Sequence, residues 1–377
     1  MKKTWLHAGL IRSAAVLTAV FAVGFLLFLA AQPETPVLSA EPEEYMEYEI
    51  AVVEQVLSDS CQPDPVAEGH YRGSQTLIVL VKTGRYSGTQ MMADNTVGPI
   101  YGQPLETGDR VTVGLSTYAD GTVRCYVHEY DRSGALILML AAFVLVTVLV
   151  GGKVGAKSLV SLGLTVAALI WILLPLLLKG WPTVPTTFLV AVLVTVASFT
   201  ILGGVDKKTV CACIGTLAGI GLATLFGMAA QALLRMDGYR QEYAEALLQL
   251  RQTGEHMIGI SGLVTAGVII SALGAVMDVA MSISSAVQEL KRVNRHLTSR
   301  ELLRSGMNIG RDMVGTMTNT LILAILGSGL TLIVYIYSLG LQPWQLLSSA
   351  YMSLEAISAI ASSAGVMLAV PVTDKLR

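Results

Sequence analysis

Charge is what this chain has least of. Only 14% of its 377 residues are Asp, Glu, Lys or Arg, against 53% hydrophobic, whereas soluble domains carry about 25% charged residues. That excludes a soluble globular protein over most of the length. The formal net charge is −2, and basic residues do not gather outside loops expected to face the cytoplasm, which excludes a nucleic-acid partner. Cysteines number four. Cys211 and Cys213 sit in an apolar stretch and read as packing residues. Cys61 and Cys125 lie in a soluble segment, where a disulfide and two unpaired thiols both remain open. No His/Cys metal spacing and no serine-nucleophile elbow occurs. Gly151-Gly-Lys-Val-Gly-Ala-Lys157-Ser158 nearly spells a phosphate-binding loop, but Ala156 stands where its second glycine belongs, and a long apolar run precedes it in place of a short strand. Ala275-Val-Met-Asp278 lacks the glycines of an intramembrane aspartyl protease. Neither an enzyme nor a bound cofactor is expected.

What is abundant is long apolar runs. Basic Met1–Arg12 precedes an uninterrupted stretch, Ser13–Ala31. Leu29-Ala-Ala31 resembles a signal-peptide cleavage site, yet Leu29 is large for it and the stretch is long, so an uncleaved helix (residues 1–31) is the preferred reading. Residues 32–133 hold 16 acids against 6 basic residues, an acidic soluble domain behind a Pro/Glu-rich linker, Gln32–Glu44. Five strands are expected there, near Tyr48–Leu57, Thr76–Lys82, Arg85–Ala93, Arg110–Thr117 and Thr122–Tyr130, with a hairpin signal at Ala119-Asp120-Gly121. Five short strands with Gly-rich turns fit a small barrel of the OB type.

Residues 134–377 read as seven membrane helices: Gly134–Gly152, Ser158–Leu178, Pro185–Leu202, Val210–Leu234, Met257–Met281, Val314–Leu339 and Leu346–Val370. The fold expected is therefore an α-helical integral membrane bundle of eight transmembrane helices with a small extracytoplasmic all-β, OB-like domain. With the N-terminus inside, inner segments hold fifteen Lys and Arg and short outer loops four. This positive-inside bias places both termini in the cytoplasm and the barrel outside. Gly238–Gln252 reads as an outer amphipathic helix. Thr298-Ser-Arg-Glu301 is a capping box inside the basic segment Val287–Asp312. Pro175 and Pro371 are expected to kink or end their helices. Gly215, Gly219, Ala223 and Gly227 recur every four residues as a close-packing seam, which also offers a face for a homo-oligomer.

Asp278 is the residue most in need of an explanation. A carboxylate at mid-span costs roughly 2.5–3.5 kcal/mol on insertion scales. Its helix face carries Ser271, Gly274, Ala275, Met281, Ser282 and Ser285. Two purposes fit: a polar lining that holds a proton or cation, or a structural carboxylate capped by a neighbouring helix. Glu355, with Ser348, Tyr351, Ser358 and Ser362 on its face, is a second intramembrane acid, expected at a different depth from Asp278. Arg311 and Asp312 open the seventh span, with Asn319 just inside it. Glycines 306, 310 and 315 suggest a broken or re-entrant helix start.

Gly274-Ala-Val-Met-Asp-Val-Ala-Met-Ser-Ile-Ser284, Ser305-Gly-Met-Asn-Ile-Gly-Arg-Asp312 and Gly315-Thr-Met-Thr-Asn-Thr-Leu-Ile-Leu-Ala324 resemble the YibE/F-like family of bacterial membrane proteins. The resemblance extends to Gly108-Asp-Arg-Val111 and Tyr130-Asp-Arg132, and runs from about Tyr48 to Pro371. It implies a multi-span cell-membrane protein with an N-terminal extracytoplasmic domain, and no particular activity. One departure is Met352-Ser-Leu-Glu355, where the family pattern is Asn-x-Glu. The expected function is a proton- or cation-coupled permease for a small solute, lined by Asp278, Ser282, Ser285, Arg311, Asp312, Asn319 and Glu355. The rival is a membrane scaffold or receptor working through its barrel.

Overall fold

A computed structural model describes residues 2–32, 45–118, 121–239, 244–252 and 258–375. The chain divides into two compact units, Thr35–Val146 and the combination of Met1–Glu34 with Thr147–Arg377. The linker residues 33–44 and the turn residues 119–120 lie outside the described residues.

The first unit is a small β-barrel. Its strands are β1 (Tyr45–Asp59), β2 (Gln62–Pro63), β3 (Tyr71–Val81), β4 (Gln90–Val97), β5 (Arg110–Thr117) and β6 (Val123–Tyr130). β1 pairs antiparallel with both β3 and β5, and a short parallel pairing of β4 with β6, Ala93 opposite Cys125, closes the ring. Counting the five long strands, that is the OB order, with the first strand shared and the third beside the fifth. Closure leaves little unpaired edge. Alternate residues point inward: Leu77, Val79 and Val81 from β3, Val111, Val113 and Leu115 from β5, with Ala51, Val53 and Leu105. A polar layer lies beside this core. Asn95 Nδ2 donates to Gln75 Oε1 at 2.9 Å, and Gln75 Oε1 also accepts from Leu105 N at 2.8 Å, pinning the loop after β4 across the barrel end.

One strand boundary differs from the expected one, and one open question closes. The third long strand begins at Gln90, five residues later than Arg85, because Gly84 and Gly88 adopt φ of 69° and 84° and extend the preceding turn. The cysteines form no disulfide: Cys61 is half-buried, Cys125 lies in the barrel core, and both are free thiols.

The second unit is helical. Its elements are α1 (Lys2–Ala31), α2 (Ser133–Ala168, shared with the first unit), a π turn at Leu169–Leu173, α3 (Leu174–Leu178), α4 (Thr183–Gly203), α5 (Lys207–Leu234), α6 (Ala244–Gln252), α7 (Leu263–Val293), α8 (Ser299–Ser328), α9 (Leu330–Ser338), α10 (Pro343–Leu347) and α11 (Ala350–Lys375). Among the described residues six helical stretches are long and apolar enough to cross a bilayer, seven if the bent α8–α9 pair is one span. The stretch Ser133–Leu178 has 46 residues, about 69 Å of helix against a hydrocarbon layer of about 30 Å. It is interrupted at Gly152, whose φ of 54° is non-helical. Pro175 lacks the N–H that a regular helix would use, and the π turn lies directly before it. Pro371, by contrast, neither breaks nor ends α11, which continues to Lys375.

α5, α7 and α11 form the centre, with α4 against them. Leu173, Val190, Ile220, Val276, Ile357 and Val366 are among the residues buried there. The small-residue seam of α5 is filled from within the chain. A Cβ at Gly219 would stand 2.7 Å from both Ala369 of α11 and Val276 of α7, Gly215 meets Thr373, and Gly227 meets Val268. α8 is continuous through Gly306, Gly310 and Gly315, so its start is not broken. Gly306 and Gly310 are instead the points where α8 presses on α11 and α7, and the 62° bend comes at Gly329.

Candidate functional site

α7 buries Val268, Ile269, Ala272, Val276, Val279 and Ile283 in the helical core. Its remaining stripe, Gly267, Gly274, Asp278 and Ser282, is exposed. The spacing of seven and four places these residues on one helix face, and the apolar residues between them claim the core for the other. Asp278 thus points away from the packed centre. Among the described residues its carboxylate has no hydrogen-bond or ion-pair partner, so the alternative of a carboxylate capped by a neighbouring helix finds no such cap.

Its serine neighbours are committed to different tasks. Ser271 Oγ lies 2.6 Å from Ser362 Oγ and donates to Val268 O, tying α7 to α11. Ser285 donates back to Met281 O at 2.7 Å. Ser284, which is off the polar face, donates to Lys208 O at 2.8 Å and anchors α7 to the start of α5. Only Ser282 shares both the exposure and the face of Asp278.

Helix register fixes the depths. Ser271 meets Ser362, while Val276 and Ala369 both press on Gly219, so α7 and α11 run parallel. Glu355 is then level with residues near 263 of α7, about 22 Å from the level of Asp278. α8 runs the opposite way, since a Cβ at Gly306 would meet Asp374 and Val287, and one at Gly310 would meet Val370 and Ile283. Continuing that register places Gly315 level with Asp278, Asn319 one turn (about 6 Å) toward Glu355, and Arg311 level with Ser282. Arg311, Asp312, Asn319 and Glu355 are all exposed. Arg311 and Asp312 do not pair with each other. The sequence-derived set is thus not one cluster: Asp278, Ser282, Arg311, Asp312 and Asn319 share one depth zone, and Glu355 stands apart. The side chain of Tyr351 lies outside the described residues.

The YibE/F-like protein family matches residues 139–376, well over half of the length. The chain belongs to that family. The match lies on the helical region, and the barrel falls before it. No curated protein and no solved structure matches the chain. Family and apolar helices together make this YibE/F-like chain a membrane protein.

One acid of this YibE/F-like chain escapes sequence reasoning. Asp374 is 4% exposed and packs on Gly306 of α8. It lies four residues past the last expected apolar run and reads as part of a polar tail. The close approach of α8 at Gly306 helps enclose it, and Gly306 in Ser305-Gly-Met-Asn was the available signal. Among the described residues no group of three His, Cys, Asp or Glu comes together as a metal site requires.

Proposed function

We propose that this protein is a secondary transporter of a small solute, coupled to a proton or cation through Asp278, and not an enzyme. The observation that carries the reading is an unpartnered carboxylate on the polar side of a membrane-length helix. Such a group is retained at a cost of roughly 2.5–3.5 kcal/mol and characteristically serves ion or proton pathways. Ser282, Ser285, Arg311, Asp312 and Asn319 supply polar surface at nearby depth. Glu355, about 22 Å away along the helices, is a second protonatable step on the same route and not a partner in a carboxylate dyad. In this reading Ser133–Leu178 divides at Gly152 into two spans and α8–α9 forms one bent span, giving eight. The chain lies in the bacterial plasma membrane, with both termini in the cytoplasm and the barrel outside.

Reconstituted Asp278→Asn should insert and fold as wild type yet lose solute-driven proton or cation flux by at least tenfold. Glu355→Gln should slow flux without abolishing it. Full flux through Asp278→Asn would remove the proposal.

A scaffold or receptor reading draws on a different observation. At the barrel rim a cavity of about 890 Å³ is lined by Asp59, His70, Tyr101, Glu106, Glu129 and Arg132. If the protein acts as a receptor, deletion of residues 32–133 abolishes its role while Asp278→Asn is nearly silent.

A further inference from the structure

A strongly basic concavity of the helical unit lies away from Asp278. It measures about 1120 Å³, and its cationic lining is Arg12, Lys207, Lys291, Arg292 and Arg295. Two acids, Asp206 and Glu289, also line it, so the cations are in excess. Glu289 is already engaged with Arg292 at 3.6 Å. Val205, Val210 and Cys211 give one wall an apolar character.

Its three walls are tied together. Ser13, beside Arg12, accepts from Val205 N at 3.1 Å, joining α1 to the turn before α5. Ser284 of α7 donates to Lys208 O at 2.8 Å from the other side. Each wall also borders an apolar stretch: within α1 the run Ser13–Ala31 follows Arg12, a second span begins at Lys207, and a third ends at Val293. The cavity therefore opens at the level where three membrane-length helices leave the apolar layer, which is where lipid headgroups lie. The first turn of α5 adds its free N–H groups and the positive end of a helix of 28 residues.

We propose that this cavity binds the phosphate of an anionic phospholipid headgroup, with the apolar wall taking the start of its acyl chains. Basic pockets between membrane helices on the inner face suit such ligands, and each Lys or Arg near the surface contributes about fivefold in binding. A soluble phosphate compound shares the recognising chemistry. The depth of the cavity, at the ends of three spans, favours the lipid.

The test uses the full chain, delipidated in detergent, with native mass spectrometry against phosphatidylglycerol, phosphatidylcholine and inorganic pyrophosphate. Phosphatidylglycerol should bind selectively over phosphatidylcholine. The pair Arg292→Gln and Arg295→Gln should weaken phosphatidylglycerol by about 25-fold. Lys153→Gln with Lys157→Gln, equal in charge change but on exposed positions of α2, should leave binding unchanged. Glu289→Gln, which removes an acid from the lining, should tighten it and so tests the site independently of any loss of folding. Equal binding of the two lipids, or equal loss in the control pair, overturns the proposal. Selective, saturable pyrophosphate binding with no preference for phosphatidylglycerol also overturns it and assigns the cavity to a soluble anion.

Discussion

Gly219 of α5 has no room for a side chain. A Cβ there would stand 2.7 Å from Ala369 and from Val276, and 3.0 Å from the carbonyl oxygen of Gly365. Those neighbours belong to two other helices, and one is backbone, so relief requires shifting a helix and not turning a rotamer. Gly219→Ala should therefore cost about 1–3 kcal/mol, the usual penalty of overpacking, read as a lower thermal midpoint in detergent. Gly221→Ala is the matched control on the same helix, because nothing lies within 4 Å of a Cβ there. Equal midpoints for the two variants would mean the seam tolerates expansion. The four-residue spacing in the sequence identified a packing seam but not its occupant. Small residues accept a helix of the same chain or of another copy equally well, and only α7 and α11 lying on the seam decide between them.

Element by element, legibility followed the kind of signal. Helix starts and turns written in side-chain chemistry were readable. Thr298 and Glu301 form the expected box, with Thr298 N donating to Glu301 Oε2 at 2.8 Å and Glu301 N donating to Thr298 Oγ1 at 3.3 Å. Thr298 Oγ1 also donates to Glu301 Oε2, at 2.8 Å, and the Thr298 backbone and hydroxyl donors, backbone first, hold the Glu301 carboxyl below its ordinary value. A lowered carboxyl contributes while ionised, so the box is complete above about pH 4.3 and is lost as pH falls through the lower folded value. Thr298→Ala should weaken the start of α8 by about 1 kcal/mol. Faster hydrogen exchange at residues 301–304 would register this, and unchanged exchange would show that tertiary packing alone holds α8 there. Elements specified by buried polar groups were harder to read. β4 alternates Ala93, Asn95 and Val97 inward, and a buried Asn is invisible to a hydrophobic pattern, which is why the expected strand stops at Ala93, short of Val97. Likewise α7 extends to Val293, twelve residues past Met281, because a helix leaving the apolar layer keeps its backbone hydrogen bonds while its side chains turn polar.

At the scale of the whole molecule, the division into an acidic barrel and an apolar helical unit was legible from charge alone. The depth order of Asp278, Asn319 and Glu355 needed helix register, which no single sequence contains. The orientation of the barrel across the membrane can be tested with Cys61. This thiol is pushed up to about 11, first by burial and then by the neighbouring Asp59 carboxylate, while Cys125 inside the barrel is pushed up to about 12, mainly by burial. Only the thiolate reacts, and a raised value means it is scarce at neutral pH and grows about tenfold for each pH unit below 11. Treating intact cells with a membrane-impermeant maleimide should therefore label Cys61 slowly at pH 8 and about tenfold faster at pH 9. Asp59→Asn should speed labelling at both values, and Cys61→Ser should remove it. If the barrel instead faced the cytoplasm, the same reaction would appear only after permeabilisation. The acidic domain would then lie on the side that the fifteen inner Lys and Arg assign to the cytoplasm, and the direction of any coupled flux through Asp278 would reverse with it.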